Sequence, residues 1–142
     1  MYNTLVKTNM TSPLSDLSEA LTCMAQPARI QILIALSTHE ACVCHLETVL
    51  GMSQASISQH LMILRKNRLV VSRRDGRHIY YSPSHPSLIE VFRKVAELQG
   101  IKQPPIFETR ISPIPDCPCP VCNPELDPKL ICKTVPKFIK PN

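Results

Sequence analysis

Apolar residues recur with helical spacing through most of the first hundred positions, and the spacing switches once to a strand-like period. Leu17, Leu21 and Met24 predict a first helix, with Ser12 and Ser15 as candidate N-caps. Pro27 suits the first turn of a second helix, and Ile30 to Leu36 is apolar nearly all round, so that helix is expected to be buried. Val43, Leu46 and Leu50 mark a short third helix that Gly51 ends. Ser53 caps a fourth, whose core positions are Ile57, Leu61 and Leu64. Leu69-Val70-Val71 and Ile79-Tyr80-Tyr81 then read as strands around Asp75-Gly76, a dipeptide that supplies positive φ at a tight hairpin. A fifth helix runs from Pro86 to Gly100, with Leu88, Val91, Phe92, Val95 and Leu98 on one face.

Near Gly100 the pattern stops. Of the 14 prolines, ten lie between Pro104 and Pro141, together with four of the seven cysteines. Proline at that density excludes long helices and central strands. The 142 residues therefore divide into a body, 1–100, and an irregular Pro/Cys-rich tail, 101–142. The expected fold class is mainly α with a two-stranded β wing.

Composition narrows the chemistry. An apolar fraction of 44% is enough for a core, and with no Trp and 4% aromatics that core is aliphatic. No stretch is apolar and long enough to span a membrane, and Met1 to Lys7 lacks the apolar block of a signal peptide. The expectation is a cytoplasmic protein, where thiols stay reduced and seven cysteines point to metal or redox chemistry. A net charge of +5 permits a nucleic-acid partner. No phosphate loop or hydrolase elbow is present, and Cys119-Pro120-Val121-Cys122 does not open a helix in a βαβ unit, so an enzyme is not expected. Neither a membrane nor a small-molecule substrate is expected as a partner.

Residues 43–66 meet the requirements of a helix-turn-helix: a short helix, a tight turn with Gly, and a second helix with a small polar front. Ser53 caps that helix; Gln54, Ser56, Ser58 and Gln59 lie off its apolar stripe, and Gln or Ser can read base edges or hold phosphate. Arg65, Lys66 and Arg68 at its end, and Arg73, Arg74 and Arg77 at the hairpin tip, supply cations for backbone or minor-groove contact. Double-stranded operator DNA is the expected partner. His60, between Gln59 and Leu61, reads equally as a packed histidine or a base reader.

Ahead of this element stands Ala41-Cys42-Val43-Cys44-His45-Leu46. Together with Ser53-Gln54, Ser58-Gln59-His60-Leu61, Leu64-Arg65, Leu69-Val70 and the wing Arg73-Arg74-Asp75-Gly76-Arg77-His78-Ile79-Tyr80-Tyr81-Ser82, it resembles the ArsR/SmtB family of metal-sensing winged helix-turn-helix repressors. The resemblance covers about Leu17 to Leu98. It implies a homodimer joined by the first and fifth helices, repression of a metal-resistance operon, and lower DNA affinity when metal binds. The chain departs from the family in three places. Glu47 stands where arsenic sensors often carry a third cysteine. The first 22 residues lack the cysteines of cadmium and lead sensors. His85-Pro86-Ser87, Leu98 and Ile101 replace the zinc-binding set of the last helix.

Cys42 and Cys44 are thus candidate metal ligands short of partners. On a regular helix, positions two apart diverge by about 200°, so both thiols reach one ion only where the chain is loose or unwinds. Cys117, Cys119 and Cys122, spaced by prolines that restrict the loop, are the candidate completing ligands. The tail carrying them is expected to be delivered to the dimer interface, from the partner subunit or its own. Soft thiolates select arsenite, cadmium, lead or zinc. The same thiols serve an alternative reading, a redox or reactive-sulfur sensing repressor. Cys23 reads as a packed thiol and Cys132 as an exposed one, while His39 and His45 could join a site but read first as surface residues.

Overall fold

The computed structural model describes residues 12–37 and 40–102. Its order is α1 (Pro13–Met24), α2 (Pro27–Leu36), α3 (Val43–Leu50), α4 (Gln54–Lys66), β1 (Val70–Asp75), β2 (His78–Pro83) and α5 (Leu88–Leu98).

Local chemistry accounts for most boundaries. Ser12 accepts a hydrogen bond from the Ser15 amide, and Ser53 accepts one from the Ser56 amide, so each hydroxyl satisfies an N-terminal donor that has no partner within its helix. Gln26 does the same for the Arg29 amide ahead of Pro27. Gly51 closes α3 at φ 64°, a left-handed conformation that a Cβ disfavours. Helix α4 ends in the same geometry without glycine: Arg68 holds φ 58° while the Leu69 amide donates to the Leu64 carbonyl at 2.9 Å. The fifth helix begins at Leu88 rather than Pro86, because His85 and Ser87 turn the chain first, with the Leu88 amide donating to the His85 carbonyl.

The strands pair antiparallel, with Asp75 opposite His78. The hairpin loop is therefore Gly76-Arg77, not Asp75-Gly76. Gly76 alone of the two has positive φ (59°), the pattern of a turn with glycine at its first central position. A third strand fragment joins this sheet: Ala41 and Tyr81 exchange both backbone hydrogen bonds, at 3.0 and 2.8 Å.

The core forms where α2 crosses α3 and α4. Ile32, Leu33, Leu36, Leu46, Ile57 and Leu61 are buried together, with Leu64 and Val70 closing it toward the wing. Cys23 is in this cluster at 5% exposure, packed beneath Arg29, whose guanidinium donates to the Cys23 carbonyl at 3.0 Å. Helix α5 buries no residue fully, although its apolar face is the most regular in the chain. Val95 is 54% exposed and Leu98 81%; on α1, Leu17 and Leu21 are 55% and 48%. These rows border an apolar cavity of about 490 Å³ lined by Leu21, Met24, Ile34, Val91, Val95 and Ile101, among others. Among the described residues no helix is long and apolar enough to cross a membrane.

Candidate DNA interface and thiol pair

Helix α4 presents one exposed strip. Burying Ile57, Leu61 and Leu64 leaves Gln54, Ser58, Gln59, Met62, Arg65 and Lys66 facing solvent. Ser53 is exposed, but its hydroxyl already serves as the cap; Ser56 is half-buried behind it. The free N-terminal amides and the helix dipole of α4 favour a phosphate at this end, with the polar side chains beside it. Met62 was not singled out by its residue type, yet it is 66% exposed. It lies four residues from Ser58 and three from Gln59 and Arg65, a spacing that places it on the same strip. With Ser58, Arg65, Lys66 and Tyr81 it lines a cleft of about 520 Å³ between α4 and the wing.

The three wing arginines differ. Arg74 and Arg77 are exposed near the hairpin tip. Arg73 instead lies along the sheet. Its Nε donates to Glu40 Oε2 at 2.8 Å and a terminal nitrogen donates to Glu40 Oε1. The guanidinium stands 3.8 Å from Asp75 and 4.8 Å from the centre of the Tyr80 ring. The hydrogen bond from Arg73 holds the Glu40 carboxyl below its ordinary range, against the opposing effect of partial burial.

His60 is half-buried, and its Nδ1 has no hydrogen-bond partner among the described residues. Desolvation, aided by the nearby Arg29 charge, holds its pKa below the ordinary 6.5. Above 6.5 both folded and unfolded chains carry a neutral ring and this contribution to stability is complete. Below it the unfolded chain takes the proton first, so stability falls as pH drops toward the folded value. Urea unfolding between pH 7.5 and 5 is expected to show this loss, and His60→Gln is expected to flatten it.

The thiol pair departs from the helical expectation. Cys42 is the N-cap of α3, at φ −86° and ψ 169°, and so lies outside the helical turn that holds Cys44. The divergence of about 200° that a regular helix imposes therefore does not apply. Cys42 Sγ and Cys44 Sγ are 3.0 Å apart. The extended conformation is that of an N-cap, as at Ser12, Gln26 and Ser53, and Ala41 just before it is paired with the Tyr81 backbone. Cys42 is 4% exposed and Cys44 half-buried. Tetrahedral thiolates at about 2.3 Å from zinc stand about 3.8 Å apart, so chelation requires the pair to open by under about 1 Å.

His45 is not on the surface: it is 3% exposed beside the fully buried Leu46, because α3 turns that flank into the core. Cys117, Cys119, Cys122, Cys132 and His39 lie outside the described residues. Among the described residues no cluster of three or more metal-ligating side chains occurs.

Three helices around an aliphatic core, a helix-turn-helix with a polar strip, and a cationic two-stranded wing define a winged helix-turn-helix DNA-binding domain. The profile described as "Bacterial regulatory protein, arsR family" matches residues 26–72. The chain is 37% identical over 82 residues to a transcriptional repressor SmtB homolog of Synechocystis; the match covers 58% of this chain and 62% of that protein. It is 32% identical over 80 residues to an arsenical resistance operon repressor of Staphylococcus aureus, covering 56% of this chain and 77% of that protein. The crystal structure of NolR from Sinorhizobium fredii superposes with a TM-score of 0.59 at 33% identity, over 70% of this chain and all of that one. The chain belongs to the ArsR family of bacterial transcriptional regulators, a family of regulators and not of enzymes. It spans less than two thirds of the length of the SmtB homolog.

Proposed function

We propose that this protein is a metal-responsive transcriptional repressor. It binds operator DNA as a homodimer and leaves it when a thiophilic metal or metalloid binds cysteine thiolates. The observation that carries this reading is the 3.0 Å approach of Cys42 and Cys44 at the entrance to the helix-turn-helix. A metal that widens the pair displaces the N-terminus of α3, which packs directly against α4. Ser53, Gln54, Ser56, Ser58, Gln59 and Arg65 on α4, with Arg73, Arg74 and Arg77 on the wing, form the DNA face. Relatives described as arsenical resistance operon repressors support arsenite as an inducer, and the thiolate donors suit cadmium, lead and zinc as well.

Two thiolates leave a soft ion under-coordinated. Cys117, Cys119 and Cys122 in the 101–142 tail supply the remaining one or two ligands. Three sulfurs suit arsenite or lead, and four suit zinc or cadmium. Full-length protein with all three tail cysteines changed to serine is expected to bind cadmium at least about tenfold more weakly, as the loss of ligands from a soft-metal site requires. Thiolate-to-metal absorption measures this, and unchanged affinity and stoichiometry would remove the tail from the site.

The short sulfur separation also favours a second reading, in which two-electron oxidation joins the pair and releases DNA. Operator-bound protein titrated with cadmium, lead, arsenite and zinc, and separately with peroxide and polysulfide, discriminates the two. Release by metal alone supports the first reading; release by oxidant alone replaces it with the second.

A further inference from the structure

Glu40 and Arg73 are 33 residues apart in sequence and form a two-point ion pair between the segment entering α3 and the wing. Both side chains are partly exposed, 35% and 54%. Pairs this open contribute little to stability. Their geometry contributes something else. A guanidinium gripped at two nitrogens, lying over the Tyr80 ring and near Asp75, has its orientation fixed on the sheet. Arg73 thus lies along the sheet, while Arg74 and Arg77 are exposed near the hairpin tip.

The pair is one of two links at the same place. Glu40 precedes Ala41, whose backbone is joined to Tyr81 in both directions, and Ala41 precedes Cys42. The wing is thus tied to the thiol pair by a strap two residues long. Sulfurs 3.0 Å apart must separate by under about 1 Å to hold a metal. Cys42 lies outside the helical turn that holds Cys44, so opening the pair moves it relative to the start of α3. Ala41, bonded to Cys42, moves with it, and the displacement reaches β2 through two backbone hydrogen bonds and β1 through the Glu40–Arg73 pair.

We propose that Glu40 is a positioning residue for the wing: it sets Arg73 and carries the state of the thiol pair to the DNA-contacting hairpin. The proposal rests on the metal-sensing reading of Cys42 and Cys44. The hydrophobic route from α3 to α4 would alter the reading helix alone, whereas this strap lets a single binding event shift both DNA-contacting elements.

The test uses the full-length protein, with cadmium as the probe, in wild type, Glu40→Gln and Cys42→Ser. Glutamine keeps the size of the side chain but cannot provide a charged two-oxygen clamp. Three quantities are read: the cadmium–thiolate absorption, the ratio of operator affinities without and with cadmium, and exchange of the Tyr81 amide in the metal-free protein. In Glu40→Gln the absorption and its stoichiometry are expected to stay as in wild type, while the affinity ratio falls by about tenfold, within the usual span of coupling energies. The Tyr81 amide is expected to exchange faster. A purely stabilising role would not move the ratio at full metal occupancy. Loss of the ratio in Cys42→Ser with a wild-type ratio in Glu40→Gln overturns the role of Glu40 alone. A wild-type ratio in both variants overturns the sensing assignment of the thiol pair and the link with it.

Discussion

Cys42→Ser is expected to keep its operator at cadmium concentrations that strip it from the wild type. With coupling of ordinary size, metal should weaken wild-type operator binding by about 100-fold, and the serine variant by less than about threefold. Serine is not ionised at neutral pH and offers a hard oxygen in place of a soft thiolate, so the pair loses one of its two donors. Loss of folding does not explain such a result. The Cys42 sulfur makes no capping hydrogen bond to α3, whereas serine is a favoured N-cap that stabilises a helix by about 1 kcal/mol relative to a non-capping residue. The variant should therefore melt at or slightly above the wild-type temperature. Fluorescence anisotropy on labelled operator DNA, with a parallel thermal melt, measures both. Equal metal-driven release in the two proteins would remove Cys42 from sensing.

Val95→Glu is expected to make the protein monomeric and to weaken operator binding by about 10²–10⁴-fold, the range in which a second linked contact ordinarily contributes. Val95 is 54% exposed, so the carboxylate is solvated in a single chain and the fold is kept. In a dimer joined through α1 and α5 the same carboxylate is buried between the apolar faces of those helices, which costs several kcal/mol without a partner. A winged-helix dimer binds two half-sites together, and a monomer binds each alone. Sedimentation equilibrium reads the association, and anisotropy on whole and half operators reads the binding. A Val95→Glu protein that remains dimeric would place the interface elsewhere.

Much of the architecture was legible because local chemistry decides it. Ser12, Gly51 and Ser53 act within three or four residues of themselves, and alternation from Leu69 to Tyr81 allows one hairpin. The polar strip of α4 follows from the spacing of Ile57, Leu61 and Leu64. Met62 is hidden in the apolar run Leu61-Met62-Ile63-Leu64, where residue type suggests core until the helical phase is drawn out. His45 was misread for the reverse reason, since polarity concealed its place beside Leu46.

Helix order, turn chemistry, the wing and the family resemblance are written in the chain itself, because they depend on short-range periodicity and capping. The sequence also placed an apolar face on α5, though periodicity marks such a face without saying what covers it; that Val95 and Leu98 stand open in one chain is a tertiary fact. The closeness of Cys42 and Cys44 is another. Cys42 is the N-cap of α3 and not part of its first turn, which leaves its sulfur 3.0 Å from that of Cys44, and the Ala41 backbone before it is paired with Tyr81, far along the chain. The Glu40–Arg73 pair likewise needs the wing folded back beside α3. Backbone pairing and ion pairing between distant segments depend on the whole core being formed, and no local pattern encodes them.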